Sequence, residues 1–114
     1  IKYNLVWDKL FGLNIFDEDI FTDEVNYYMT KINKYGLPLD SRSDYTKSDW
    51  QMWSTVLCNN KEYTDAIVSA MLRMLAETPD PVPFSDWYYS STAIQRGFQN
   101  RTVQGGLFIN MLKF

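Results

Sequence analysis

Two residues, Asn59-Asn60, separate a helical run carrying Trp50, Trp53, Val56 and Leu57 from a second run over about 61–77. A link that short makes the chain double back, out along one helix and home along the next. With an even number of helices between them, the long connections 36–46 and 79–101 return to the same end of a helical stack. The short connections, near 13–17 and at Asn59-Asn60, belong to the opposite end. Both long connections are rich in Asp, Arg, Trp and Tyr. Loops longer than about a dozen residues without structure of their own are uncommon in compact domains and often functional. Chemistry is therefore expected at the elaborated end.

Apolar spacing supplies the rest of the helical reading. Residues 3–12 read as a short helix with Leu5, Val6 and Leu10 inward. Asp17 is placed to cap a second helix whose Ile20, Phe21, Val25, Tyr28, Met29 and Ile32 recur every three or four positions. Gly36 is the expected stop. Thr46 or Ser48 caps the next helix, and Ile67, Ala70, Met71, Met74 and Leu75 form one face of the run over 61–77. Pro79, Pro81 and Pro83 then forbid continuation. A last helix from about Thr102 carries Val103, Leu107, Phe108, Met111 and Leu112. Strand signals are poor, so the fold expected is all-α, with five helices as antiparallel hairpins over a single unit, 1–114. Echoes between Leu37-Pro38-Leu39-Asp40-Ser41 and Val82-Pro83-Phe84-Ser85-Asp86, and the twice-used Ser-Asp-Trp, suggest a helical array or toroid.

Composition excludes several functions. The 114 residues carry a net charge of -3 with scattered Lys and Arg, which excludes a general nucleic-acid binder. Without histidine, the chain has no Ser-His-Asp or Cys-His chemistry of its own and lacks the commonest transition-metal ligand. Neither a metal nor a cofactor is expected. The lone Cys58 lies among apolar helical neighbours, where an inert thiol fits better than a nucleophile. No apolar run approaches the roughly 18 residues needed to span a bilayer. The chain begins at Ile1 without a methionine and ends at Phe114 inside an apolar helical pattern, as expected of a segment of a longer protein.

Three clusters could carry chemistry: Asp40-Ser41-Arg42 leading through Asp44 to Asp49-Trp50, Asp86-Trp87-Tyr88, and Gly97-Phe98-Gln99-Asn100-Arg101. Acting on an uncharged polar substrate takes a carboxylate as acid or base, donors aimed at developing negative charge, and aromatic walls that exclude water. Each residue also has a structural reading. Asp49 or Ser48 also suits a helix cap, and Asp40 with Arg42 would stiffen a loop. Trp50 and Trp53 stand at core spacing. Arg101 precedes a helix, where its charge opposes the dipole unless a carboxylate or ligand takes it up. Gly105-Gly106 is most simply explained by close helix packing, since each glycine costs about 1 kcal/mol against alanine in a helix.

The order of these motifs resembles a known family. Tyr3-Asn4-Leu5-Val6-Trp7-Asp8-Lys9-Leu10, Tyr35-Gly36-Leu37-Pro38-Leu39-Asp40-Ser41-Arg42, Tyr45-Thr46-Lys47-Ser48-Asp49-Trp50, Val82-Pro83-Phe84-Ser85-Asp86-Trp87-Tyr88 and the segment from Gly97 to Gly106 are similar to the helical domain of the glutaminase A family. Asn100, Thr102, Gln104 and the stretch 89–93 depart from its pattern. The resemblance implies a six-hairpin (α/α) toroid of the glycosidase-like type, of which this chain would be the C-terminal part, in a secreted, periplasmic or cell-envelope enzyme. It also implies hydrolysis of the L-glutamine side-chain amide.

On that reading Asp40, Asp49 or Asp86 activates water or binds the substrate ammonium. Arg42 and Arg101 suit the substrate carboxylate, and Trp50, Trp87, Tyr88 and Gln99 line the pocket. The partners expected are a small-molecule substrate and the remainder of the parent chain, without which the segment is expected to be inactive. Two other readings stay open. One is a glycoside hydrolase using two of these carboxylates. The other is a non-catalytic helical module that binds peptide or glycan or acts as scaffold.

Overall fold

The computed structural model describes residues 1–112; the end of the apolar pattern, Lys113 and Phe114, lies outside the described residues. A 3-10 turn at Tyr3–Leu5 runs into helix α1 (Val6–Phe11), which Gly12 ends in the left-handed conformation at φ 59°. Asp8, although charged, is buried because its carboxylate accepts from the backbone N–H of Ile15 (3.1 Å) and Phe16 (2.9 Å). Helix α2 (Glu18–Met29) buries Phe21, Val25 and Tyr28, as the spacing predicts. It stops at Thr30, earlier than the expected end at Gly36, and Asn33 and Gly36 instead pair through their backbones in a tight turn. Asp17 stands at the N-cap position but makes no side-chain capping bond.

Helix α3 (Ser48–Ser54) and helix α4 (Lys61–Glu77) follow. The side chain of Asn60 caps α4 by accepting from the Tyr63 N–H at 3.0 Å. At the other end, Pro79 stops the helix and the Thr78 hydroxyl donates to the Ala93 carbonyl at 2.7 Å. Ile67, Ala70, Met71 and Met74 face the core, whereas Leu75 is 49% exposed. Among the described residues no helix is long and apolar enough to cross a membrane.

The all-α expectation, and with it the reading of the chain as antiparallel hairpins of an (α/α) toroid, is corrected by a three-stranded antiparallel sheet. Strand β1 (Tyr45–Lys47) pairs with β2 (Ser85–Tyr89), and β2 pairs with β3 (Gln95–Gln99). The register sets Tyr45 against Tyr89, Thr46 against Tyr88 and Lys47 against Trp87. The physical reason is visible in β2. In Ser-Asp-Trp-Tyr-Tyr, Asp86 and Tyr88 turn inward while Trp87 and Tyr89 are half-buried, an alternation of period two in an aromatic-rich run. Backbone amides packed this close to a core need partners, and the two long connections supply them to each other. They therefore meet as neighbouring strands.

The final segment, Thr102–Met111, is a 3-10 helix rather than an α-helix. It lies against α3, with Ile109 buried and Asn110 donating to the Thr55 hydroxyl at 2.8 Å. Gly106 makes the approach possible: a Cβ there would sit 2.8 Å from both the Asp49 Cβ and the Trp53 Nε1.

The main core joins Leu5, Val6, Phe21, Val25, Leu57 and Ile67 with Tyr28 and Tyr63. A polar chain threads it. Gln51, fully buried, accepts from the Leu37 N–H (2.9 Å) and donates to the Tyr88 hydroxyl (2.9 Å). That hydroxyl donates onward to the Tyr35 carbonyl at 2.8 Å. Ser54 donates to the Gln51 carbonyl at 2.5 Å and stands 2.6 Å from the Tyr63 hydroxyl. Gly36, at φ 155°, leaves room for this network; a Cβ there would overlap the Gln51 side chain and come within 2.9 Å of the Tyr88 hydroxyl.

Gln51→Leu leaves the buried Leu37 N–H unpaired and is expected to cost about 2–3 kcal/mol in urea unfolding at constant slope. A cost within error of zero would show that the network does not hold the turn at 35–37. Gly106→Ala should cost about 1–3 kcal/mol by the same measurement, because the added methyl forces the last segment off α3; an unchanged midpoint would contradict that packing.

Candidate functional site

The sheet places the predicted residues in two adjoining groups. The first lies at the start of α3 and along β2. Asp49, in the first turn of α3, is 3% exposed. Asp86, on the inner face of β2, is 1% exposed. Arg101 grips Asp86 with two parallel bonds, Nε to Oδ1 at 3.1 Å and a terminal nitrogen to Oδ2 at 2.6 Å. That bidentate pair compensates the buried charge of Asp86. It also answers why a cation precedes the last helix: its partner is a carboxylate, and bonding to Asp86 raises the guanidinium further above its ordinary value.

Asp49 has no such cation. Its Oδ1 is buried without a hydrogen-bond partner among the described residues. Burial first, and the like charge of Asp86 second, push its carboxyl above the ordinary value, against the opposing pull of its own N–H, Lys47 and the Trp50 N–H. One acid is thus held by a guanidinium and its neighbour is driven toward the protonated form. A buried carboxyl raised by its surroundings is a candidate acid–base group.

Beside them is an aromatic and cationic cluster. The Lys47 ammonium lies 4.4 Å from the Trp50 ring centre, 5.2 Å from Phe98 and 5.7 Å from Trp87. Phe98 stacks on Trp87 at 4.8 Å, and the Arg101 guanidinium carbon is 4.0 Å from the Phe98 ring. Arg96 stacks on Trp87 at 4.7 Å. Phe98 holds φ 56°, a region bulky residues avoid, so its place over Trp87 is kept at a backbone cost. Among the described residues, four buried polar atoms here lack partners: Thr46 Oγ1, Ser48 Oγ, Asp49 Oδ1 and Trp87 Nε1. Buried polar groups are normally paired, so a run of orphans on β1, α3 and the facing strand calls for an explanation.

The second group is an open cleft of ≈ 570 Å³ lined by Tyr3, Tyr27, Leu39, Asp40, Arg42 and Trp50. Asp40 accepts from the Arg42 guanidinium at 2.7–3.1 Å and from its N–H at 2.9 Å, and this holds its carboxyl down at about 2. Asp40 and Arg42 are therefore committed to each other. Trp50, stacked on Tyr3 at 3.8 Å, connects the two groups.

Two predicted residues sit elsewhere. Tyr88 is in the core, bonded to Gln51 and Tyr35, and burial pushes its hydroxyl above the ordinary value. Gln99 donates to Gln95 along its own strand at 2.5 Å. Burial also pushes the Cys58 thiol up, as an inert thiol requires. Among the described residues no cluster of three or more His, Cys, Asp or Glu is arranged to hold a metal ion.

Lys47 and Arg96 are the members that sequence reasoning did not single out, whereas Phe98 stood within the third cluster. What brings Lys47 in is the pairing of β1 with β2, which sets it opposite Trp87 and which no local pattern announces.

The glutaminase A six helical-hairpin domain matches residues 1–111. Glutaminase A of Aspergillus oryzae is 33% identical over 111 residues, covering 95% of this chain and 16% of the fungal protein. A probable glutaminase of Arthroderma benhamiae is 33% identical over 69 residues, which is 60% of this chain and 8% of that protein. No solved structure matches. A family match along nearly the whole length, ending on the Gly106 segment that closes over Asp49, means that the chain belongs to the glutaminase A family through its six helical-hairpin domain.

Proposed function

We propose that this chain is part of a glutaminase A-like hydrolase that cleaves the side-chain amide of L-glutamine, with Asp49 as the proton-carrying carboxyl. Hydrolysis of a primary amide consumes water and releases ammonia, so the leaving nitrogen must gain a proton as the C–N bond breaks. Burial and the adjacent Asp86 raise the Asp49 carboxyl above the ordinary aspartate value, so it holds a proton more readily than an exposed aspartate does. Asp86, fixed by Arg101, stands beside it, and Trp50, Trp87 and Phe98 provide walls that exclude water. The observation that carries this reading is the buried, partnerless Oδ1 of Asp49 beside Asp86. The activity proposed is that of the full-length protein carrying this chain, in a secreted or envelope setting.

A glycosidic bond is the second substrate class to weigh. It is favoured by one observation, two buried carboxylates in electrostatic contact flanked by Trp faces. Ammonia release from glutamine and reducing-sugar release from a glycan panel, run side by side on the full-length protein, separate the two. Asp49→Asn is expected to lower ammonia release about 100-fold or more. Undiminished release from that variant would remove Asp49 from the mechanism, and sugar release in place of ammonia would remove glutamine as substrate.

The same variant has a stability signature. A carboxyl held above its ordinary value binds its proton more tightly in the folded state. Its contribution favours folding at low pH and is lost as pH climbs from the ordinary 3.8 through the raised value. Asparagine has no such proton, so Asp49→Asn should vary less in stability across the acid range and match or exceed the parent at neutral pH. Loss of stability at neutral pH would show that Asp49 is a structural group.

A further inference from the structure

The two guanidiniums best placed in the sequence to receive a substrate carboxylate are already engaged. Arg42 is bound to Asp40 and Arg101 to Asp86, each with a bidentate grip that uses both carboxylate oxygens. Lys47 is different. Its half-buried ammonium rests among the rings of Trp50, Phe98 and Trp87 and has no hydrogen-bond or ion-pair partner among the described residues. Aromatic faces attract a cation, but they leave its three N–H donors unfilled.

A second donor stands on the facing strand. Trp87, directly opposite Lys47 in the strand register, keeps its indole N–H buried and unpaired. Arg96, stacked on the Trp87 ring, adds positive charge to that face of the sheet. Of the two acids nearby, Asp86 is already paired with Arg101, and Asp49, which Lys47 reaches only through space, makes no ion pair with it. Two donors without acceptors, in a positive and partly desolvated aromatic setting, are what a carboxylate needs.

We propose that Lys47 and the Trp87 indole N–H form a carboxylate-binding subsite, walled by Trp50 and Phe98, that receives the carboxylate of the substrate. The proposal rests on the glutaminase reading for the identity of that group, which is then the α-carboxylate of glutamine. The subsite itself needs only a small carboxylate-bearing ligand, and a uronic acid has the same chemistry. Arg42 and Arg101 become positioning residues for Asp40 and Asp86. Phe98 is held over Trp87 at an unfavourable φ because the wall requires it there.

The test is titration calorimetry on the full-length protein carrying this chain, with L-glutamine, L-glutamine α-amide and D-glucuronate as probes. L-glutamine should bind at least about tenfold more tightly than its α-amide, the discrimination of one charge-assisted contact. Lys47→Met, which keeps the apolar stem on Trp50, should erase that difference, and Lys47→Arg should restore most of it. Equal binding of the acid and the amide by the parent overturns the subsite, and so does a preference that survives in Lys47→Met. Lys47-dependent binding of glucuronate without binding of glutamine would keep the subsite and end the glutaminase reading. Absence of Lys47-dependent binding for every carboxylate tested overturns the subsite, whatever ammonia release shows. If Lys47→Met does not fold, as judged by its far-ultraviolet dichroism, the acid–amide comparison in the parent still decides.

Discussion

The hydrogen bond between the Gln51 amide and the Tyr88 hydroxyl is the joint on which the other elements depend. It ties α3 to β2 in a fully buried setting, and both partners go on to hold the turn at 35–37, through the Leu37 N–H and the Tyr35 carbonyl. In a low-dielectric interior such a chain of donors and acceptors is strong when complete and costly when interrupted. It also sets the site. Asp86 shares the inner face of β2 with Tyr88, two residues away, and Asp49 lies two residues before Gln51 on α3. Fixing Gln51 against Tyr88 therefore fixes the start of α3 against the inner face of β2, where the two acids meet.

Strand β2 then divides the chemistry between its faces. Inward it carries Asp86, with the buried charge answered by Arg101. Outward it carries Trp87, against which Phe98 and Arg96 stack and near which Lys47 lies. Arg101 links the faces, since the guanidinium that holds Asp86 also lies over Phe98. Four unpartnered polar atoms in one small region run against stability, and regions that break the rules of packing in this way are where function is expected.

The helices were legible because burial against one core imposes a period of 3.6, and Phe21, Val25, Tyr28, Ile67 and Met71 obey it. The sheet was not, because its strands are three to five residues long and stand next to Pro, Ser and Asp, which read as loop. The warning lay in the length of the gaps: a long structureless loop in a small domain is itself evidence against an assignment. For the site, the convergence of the two long connections followed from helix parity, and Asp49, Asp86, Trp50, Trp87 and Arg101 all belong to it. Tyr88 could not be told from a wall residue, since only the register decides which of two neighbouring aromatics faces the core. Lys47 was hidden for the same reason: its importance comes from the residue opposite, and pairing across forty residues leaves no local trace.

The last segment completes the argument about Asp49. Gly105-Gly106 weakens an α-helix, and the chain there adopts 3-10 geometry instead. Gly105 has open space where a side chain would be, so only Gly106 is constrained by contact, and the atoms it meets are the Asp49 Cβ and the Trp53 indole. The missing side chain is thus what lets the backbone close over Asp49. Burial is the largest cause of the raised Asp49 carboxyl, and a glycine 57 positions further along the chain is one of the contacts that bury it. Of a pair that looks like a helix defect in the sequence, one glycine is exposed and the other packs directly against Asp49.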